Sequence, residues 1–186
     1  MRITGGSARG RRLRAPRGRD LRPTSDKVRE AIFDRLGPAG VSGTVLDLFA
    51  GTGALGLEAV SRGASLALLV DRDPRAVALC RENAALVAAD AAVRITRADA
   101  LAFVSGPGRG LAADLVLLDP PYAFERWPEL LALLRSCHAV RAGGIVIVER
   151  SSRRAPVVST GYHAQRSSRY GDTALDLLVA VAAGDE

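Results

Sequence analysis

Beyond residue 43 the chain alternates short apolar runs with stretches of helical spacing. Thr44-Val45-Leu46-Asp47-Leu48-Phe49 is apolar at almost every position, as a strand covered on both faces requires. A glycine-rich turn follows it, then a predicted helix over 54–61. Residues 66–70 predict a second strand ending at Asp71-Arg72-Asp73, and Pro74 suits the first turn of a helix running to about 87. Further strands are predicted at 93–95, before Asp99-Ala100, and at 114–118, ending at Asp119. A helix through 130–134 leads to Gly143-Gly144 and a strand at 145–148. Strand and helix alternating in this way predict an α/β fold, a parallel sheet with helices on both faces. The last third breaks the rhythm. Two extended segments, at 163–168 and 174–181, flank Tyr170-Gly171-Asp172-Thr173 with no helix between, which predicts a closing antiparallel hairpin at one sheet edge.

Ahead of this alternation the pattern divides the chain into a basic extension, 1–40, and a main domain, 41–186. In the extension, Arg2-Ile3-Thr4 and Arg12-Leu13-Arg14 flank Gly5-Gly6, a spacing that allows a small hairpin with its arginines exposed. Arg22-Pro23-Thr24-Ser25 then precedes a helix whose Val28, Ile32 and Leu36 form one apolar stripe for docking onto the main domain. Thr24 or Ser25 can supply its N-cap.

Composition changes this picture in one respect. The chain has 186 residues, 48% hydrophobic and 25% charged, the balance of a soluble folded protein. No apolar stretch approaches the roughly 18 residues of a membrane span, and the Arg-rich start lacks the apolar core of a secretory signal. Cys80 and Cys137 lack metal-ligand spacing and read as buried thiols, and His138 and His163 have no partners suggesting a metal or a triad. These features predict a cytoplasmic protein with no membrane partner and no metal. The charge is the informative part. Residues 1–35 carry ten Arg and one Lys against four acids, a net of +7, while the rest carries 15 Arg against 16 acids, a net of −1. Lys27 is the only lysine; base composition of a genome explains Arg replacing Lys but not the clustering. Such localisation predicts a phosphate-binding arm. Its candidate RNA contacts are Arg2, Arg9, Arg11, Arg12, Arg22, Pro23, Thr24 and Arg29.

Gly51-Thr52-Gly53-Ala54-Leu55-Gly56 fits G-x-G-x-x-G between a strand and a helix, with Asp71 twenty residues beyond Gly51. Glycines there admit a ligand close to the backbone, and an acid ending the second strand can accept from ribose hydroxyls. Taken alone this suits a nicotinamide dinucleotide as well as S-adenosylmethionine. Asp47 in the first strand, placed to hold an amino group, and Asp99 after the third, placed to accept from an adenine amine, favour the methyl donor. Candidate cofactor-binding residues are Asp47, Phe49, Ala50, Gly51, Gly53, Asp71, Arg72, Asp99, Ala100 and Asp119.

Asp119-Pro120-Pro121-Tyr122 follows a strand, so Asp119 is expected at the carboxyl edge of the sheet, where doubly wound proteins bind ligands. The lone pair of an aromatic amine is conjugated into its ring. A carboxylate and a backbone carbonyl accepting its two hydrogens pull the nitrogen toward a tetrahedral shape and stabilise charge as a methyl group arrives. Asp119 and the Pro120 carbonyl can do this, two prolines stiffening the turn. Tyr122 offers a face for a base lifted from its stack. Asp119, Pro120 and Tyr122 are the candidate catalytic residues.

The stretch from Val45 to Ala59 with Ser61-Arg62-Gly63-Ala64 resembles the bacterial 16S rRNA (guanine(966)-N(2))-methyltransferase family. So do Gly5-Gly6, Arg9-Gly10, Arg22-Pro23-Thr24 with Val28-Arg29-Glu30, Asp119-Pro120-Pro121-Tyr122 and Tyr170-Gly171-Asp172-Thr173. The resemblance spans nearly the whole chain, with Asp71 standing where the family leads one to expect Glu. It implies a Rossmann-like class I S-adenosylmethionine-dependent methyltransferase fold with a seven-stranded sheet, acting on 16S rRNA in a small ribosomal subunit with ribosomal proteins bound. A monomer is expected. Three other readings stay open on the residues: an adenine-N6 methyltransferase acting on DNA or RNA, a nicotinamide-dependent oxidoreductase, and a non-catalytic RNA-binding assembly factor.

Overall fold

The computed structural model describes residues 1–15, 25–37 and 41–182. Each predicted extended segment becomes a strand. These are β1 (Gly43–Asp47), β2 (Ala64–Asp71), β3 (Val93–Arg97), β4 (Ala113–Leu118), β5 (Val140–Ser151), β6 (Tyr162–Tyr170) and β7 (Thr173–Ala180). They form one seven-stranded sheet in the order β3-β2-β1-β4-β5-β7-β6. The first five are parallel, and β7 pairs antiparallel with both β5 and β6. The chain reverses direction outward from β1, so the carboxyl ends of β1, β2 and β4 meet at the switch point, where such sheets bind ligands.

The helices are α1 (Asp26–Leu36), α2 (Ala54–Ser61), α3 (Pro74–Leu86), α4 (Ala100–Ser105) and α5 (Trp127–Ser136), with a 3-10 turn at Asp90–Ala92. Alternation along the strands divides the core. Val45, Leu115, Leu117 and Ile147 pack with α1, α2 and α3, whereas Leu46, Val116, Leu118, Val146 and Val148 pack with α4 and α5.

Two elements depart from the pattern reading. Helix α4 is absent from it, because six residues are too few to display a helical period. Its one local signal is Asp99, which caps it by accepting from Leu101 N at 3.0 Å and Ala102 N at 3.2 Å. Strand β5 extends well beyond 145–148, continuing through Gly143-Gly144 past an irregularity in its pairing with β4.

The N-terminal hairpin is held by one bridge, Arg2 to Arg12, and by Ile3 N donating to Arg11 O at 3.0 Å. Ile3, Ala8 and Leu13 are buried in the same core as α2 and α3, so the hairpin is seated on the main sheet assembly. Gly6 explains part of the Gly5-Gly6 motif: φ is +74°, and a Cβ there would fall 1.7 Å from the Ser61 carbonyl oxygen. Ser25 caps α1, its hydroxyl accepting from Val28 N at 3.2 Å. Val28 and Ile32 are buried as the stripe predicts, joined by Phe33.

The anchor beneath the hairpin is Glu58 on α2. Its carboxylate accepts from Thr4 N (2.8 Å), Thr4 Oγ1 (2.7 Å), Gly5 N (2.7 Å), Arg62 Nε (2.8 Å) and Arg29 Nε (3.3 Å). Arg29 and Glu58 are both 0% exposed. The Arg29 guanidinium also donates to Asp26 Oδ1 (2.7 Å) and to the Arg2 carbonyl. This corrects the expectation that Arg29 contacts RNA: its donors are spent inside the protein, beneath the arm.

Candidate active site

Strand β1 delivers the glycine loop to the carboxyl edge of the sheet, and α2 leaves from Gly53. The loop is fastened from below. Asp71, ending β2, accepts from Gly51 N at 2.9 Å through Oδ2 and from Asp73 N at 2.9 Å through Oδ1. Each oxygen keeps a lone pair for a hydroxyl. Asp73 caps α3, with Pro74 in the first turn, and Arg72 is exposed. Gly56 lets α2 lie directly on β2, since a Cβ there would come 2.1 Å from Leu69 Cδ2. Ala50 N donates to Val70 O at 3.1 Å, and burial pushes the Cys80 thiol up as it donates to Gly51 O.

Asp47 lies beneath this loop, 0% exposed. Its Oδ2 accepts from Gly56 N at 3.0 Å, whereas Oδ1 has no hydrogen-bond partner among the described residues. Burial is the main cause that pushes its carboxyl up to about 7; the Gly56 and Phe49 N–H groups oppose this, and the charges of Asp119 and Asp71 add to it. A buried acceptor left over at the floor of a glycine loop suits a cationic amine.

Asp99 spends Oδ1 on capping α4, and Ala100 behind it is buried. The side chain of Asp99 is exposed, at the end of the strand next to Asp71.

Asp119 follows directly on β4, half-buried, with Pro120 buried and Tyr122 49% exposed. The turn is stiffened by rings. Phe124 meets Phe49 edge-on at 5.2 Å and Trp127 at 4.9 Å between centroids, and Trp127 begins α5. Phe49 thus ties the glycine-loop side of the site to the Asp-Pro-Pro-Tyr loop. A shallow cleft beside it is lined by Pro120, Tyr122, Trp127, Glu149, Ser151 and Arg154.

Of the arm residues, Arg2, Arg9, Arg11 and Arg12 are exposed, whereas Arg22, Pro23 and Thr24 lie outside the described residues. Tyr170-Gly171-Asp172-Thr173 forms the β6–β7 turn, which Ser152 holds by donating to the Asp172 and Gly171 carbonyls. Arg35 of α1 lies 5.2 Å over the Tyr170 ring. Arg150 is buried and pairs with Asp176 at 2.6 and 2.9 Å.

Sequence reasoning missed three residues. Glu58 anchors the arm. Asn83, wholly buried, accepts from Arg14 N (2.7 Å) and donates to Arg14 O (3.1 Å) and Thr52 O (2.8 Å), so it joins the arm to the glycine loop. Glu149 lines the cleft. Neither Glu58 nor Asn83 carries a local signal for its role, because the arm residues they hold, Thr4 and Arg14, lie 54 and 69 positions away.

The chain is similar to ribosomal RNA small subunit methyltransferase D of Escherichia coli (strain K12), 36% identical over 188 residues that cover 100% of this chain and 92% of the relative. It superimposes on the solved structure of Escherichia coli yhhF, a methyltransferase by name, with a TM-score of 0.86 at 32% identity, covering 98% of this chain and 99% of that one. An RNA methyltransferase from Salinibacter ruber, solved with S-adenosyl-L-homocysteine, shares the fold at a TM-score of 0.67 and 16% identity, over 89% and 98% of the two chains. A family model described as conserved hypothetical protein 95 matches residues 1–179. Matched by that model almost from end to end, this chain belongs to the conserved hypothetical protein 95 family.

Proposed function

We propose that this protein transfers the methyl group of S-adenosylmethionine to the exocyclic N2 of a guanine in small-subunit (16S) ribosomal RNA, on an assembled or partly assembled subunit in the cytoplasm. One observation carries the reading: Asp119-Pro120-Pro121-Tyr122 stands at the carboxyl end of β4, beside a glycine loop whose floor holds the unmatched Asp47 oxygen. The full-length match to a small-subunit rRNA methyltransferase supports the choice of substrate.

Asp47, Gly51, Gly53 and Asp71 would hold the donor, Asp47 accepting from its amine and Asp71 from its ribose, with Asp99 available to its adenine. The donor supplies an electrophilic methyl group. The target guanine rests against Tyr122, its N2 hydrogens directed at the Asp119 carboxylate and the Pro120 carbonyl. These acceptors localise the lone pair on N2. The N–CH3 bond forms as the donor's S–CH3 bond breaks, and the extra proton on N2 leaves through Asp119 or water. Arg2, Arg9, Arg11 and Arg12 receive phosphates of the flanking RNA. In this reading the protein acts as a monomer.

Recombinant protein with labelled donor and unmodified small subunits tests this. N2-methylguanosine at a single position is the expected product by nucleoside analysis and mass mapping. N6-methyladenosine as sole product overturns the guanine assignment, and no transfer to authentic subunits overturns the enzymatic reading. Running naked RNA in parallel shows whether assembly is required.

Asp47 gives donor binding a pH dependence. Its folded pKa of about 7 lies above the ordinary aspartate value of 3.8, so its contribution to stability is present in full below 3.8 and is lost as pH rises through 7. A bound ammonium favours the ionised form and reverses that sign for the complex. Donor affinity therefore rises from pH 6 to pH 8, with a proton released per donor bound at pH 6. Calorimetry in buffers of different ionisation enthalpy measures both, and Asp47→Asn flattens the profile. Affinity of the unchanged enzyme that is constant across this range contradicts the pairing.

A further inference from the structure

Asp-Pro-Pro-Tyr accepts hydrogens from an exocyclic amine and does not by itself distinguish guanine from adenine. The distinction lies at the neighbouring position of the ring. Guanine carries a hydrogen on N1 beside its N2 amine, whereas adenine has a bare lone pair on N1 beside its N6 amine. A selective site therefore places a second acceptor next to the first.

Such an acceptor stands on the adjacent strand. Leu118 of β4 is in register with Val148 of β5, so Asp119 and Glu149 each lie one residue beyond the paired position on neighbouring parallel strands. Strand alternation sends Glu149 to the face of Ile147, the side of the sheet that carries α2 and the glycine loop. Its cross-strand neighbour, Leu175, belongs to that same core. Arg150, next in the chain, lines the same cleft, but its guanidinium is engaged with Asp176 and Ser167. Glu149 is only 7% exposed, yet it lines the cleft together with Pro120 and Tyr122. A carboxylate so shielded from water selects sharply, since the wrong partner leaves its charge opposed to a lone pair.

We propose that Glu149 is the guanine-selecting residue of this site, accepting the N1 hydrogen while Asp119 and the Pro120 carbonyl accept those of N2. Ser151 and Arg154, on the same cleft, supply donors for the guanine O6. This rests on the methyltransferase reading above and adds the choice of base to it.

The test uses small-subunit RNA bearing either guanine or 2-aminopurine at the methylated position, reassembled with its proteins. 2-Aminopurine keeps the 2-amino group but presents a lone pair at N1. For the unchanged enzyme kcat/KM falls about 100-fold or more from guanine to 2-aminopurine. In Glu149→Gln, whose amide can donate to that lone pair, the preference shifts at least about tenfold toward 2-aminopurine while donor affinity is retained. A purely structural Glu149 would lower both substrates alike and leave their ratio unmoved, which overturns the proposal. Equal turnover of the two substrates by the unchanged enzyme overturns it as well, and that measurement does not depend on the variant folding. No methylation of guanine itself would instead remove the functional reading on which this one stands.

Discussion

Replacing Asp119 with alanine lowers kcat for methyl transfer by roughly 10³-fold, within the range for a group that both accepts a proton and stabilises developing charge. Donor affinity changes by less than about threefold, because the proposed anchors of the donor are on other elements: Asp47 on β1, Asp71 on β2 and the glycine backbone between them. Asp119→Asn separates two contributions. Its amide oxygen still accepts one hydrogen but carries no charge to match the positive nitrogen, so its loss lies between alanine and the unchanged enzyme. Single-turnover methylation with calorimetric donor titration reads both quantities. If Asp119→Ala loses donor affinity while bound donor still turns over normally, Asp119 belongs to the cofactor site and not to the chemistry.

Glu58→Ala is expected to destabilise the fold by about 3–5 kcal/mol, the usual cost of removing one partner from a buried ion pair. Three consequences combine. The Arg29 guanidinium is left without exposure and without its buried carboxylate partner. The N–H groups of Thr4 and Gly5 lose their acceptor. Arg62 loses one of its two acidic partners and keeps Asp34 at the surface. Because the hairpin is released from α2, RNA affinity falls more than donor affinity. Denaturant unfolding and filter binding of small-subunit RNA measure the two effects. A loss below about 1 kcal/mol would show that the network contributes little net stability. The double variant Glu58→Leu with Arg29→Leu recovers part of the loss, since it removes both buried charges together.

These two predictions differ in how far the sequence could have supported them. Asp119 is legible without coordinates. An acid, two prolines and an aromatic after an apolar run are local facts, and the chemistry of an aromatic amine calls for that grouping. The same holds for the glycine loop and Asp71, whose spacing reports a strand, a tight turn, a helix and a second strand end. Alternating apolar runs likewise fixed the order of strands and helices, since side-chain period is a property of neighbouring residues. Helix α4 escaped because its six residues span less than two turns.

Only the tertiary structure separated arginines of equal charge by role. Arg2 and Arg12 point outward from the hairpin, whereas Arg29 and Arg150 are sealed against Glu58 and Asp176. A basic count cannot make that division, because burial of a guanidinium depends on a carboxylate arriving from a distant segment, 29 positions away for Arg29 and 26 for Arg150. The structure also set Glu149 beside Asp119, thirty residues apart in the chain, through the register of two parallel strands. Local pattern thus determined which elements exist and where the reactive motif falls. Strand order, register and burial decided which charges reach the solvent, which hold the arm, and which acceptor stands next to Asp119.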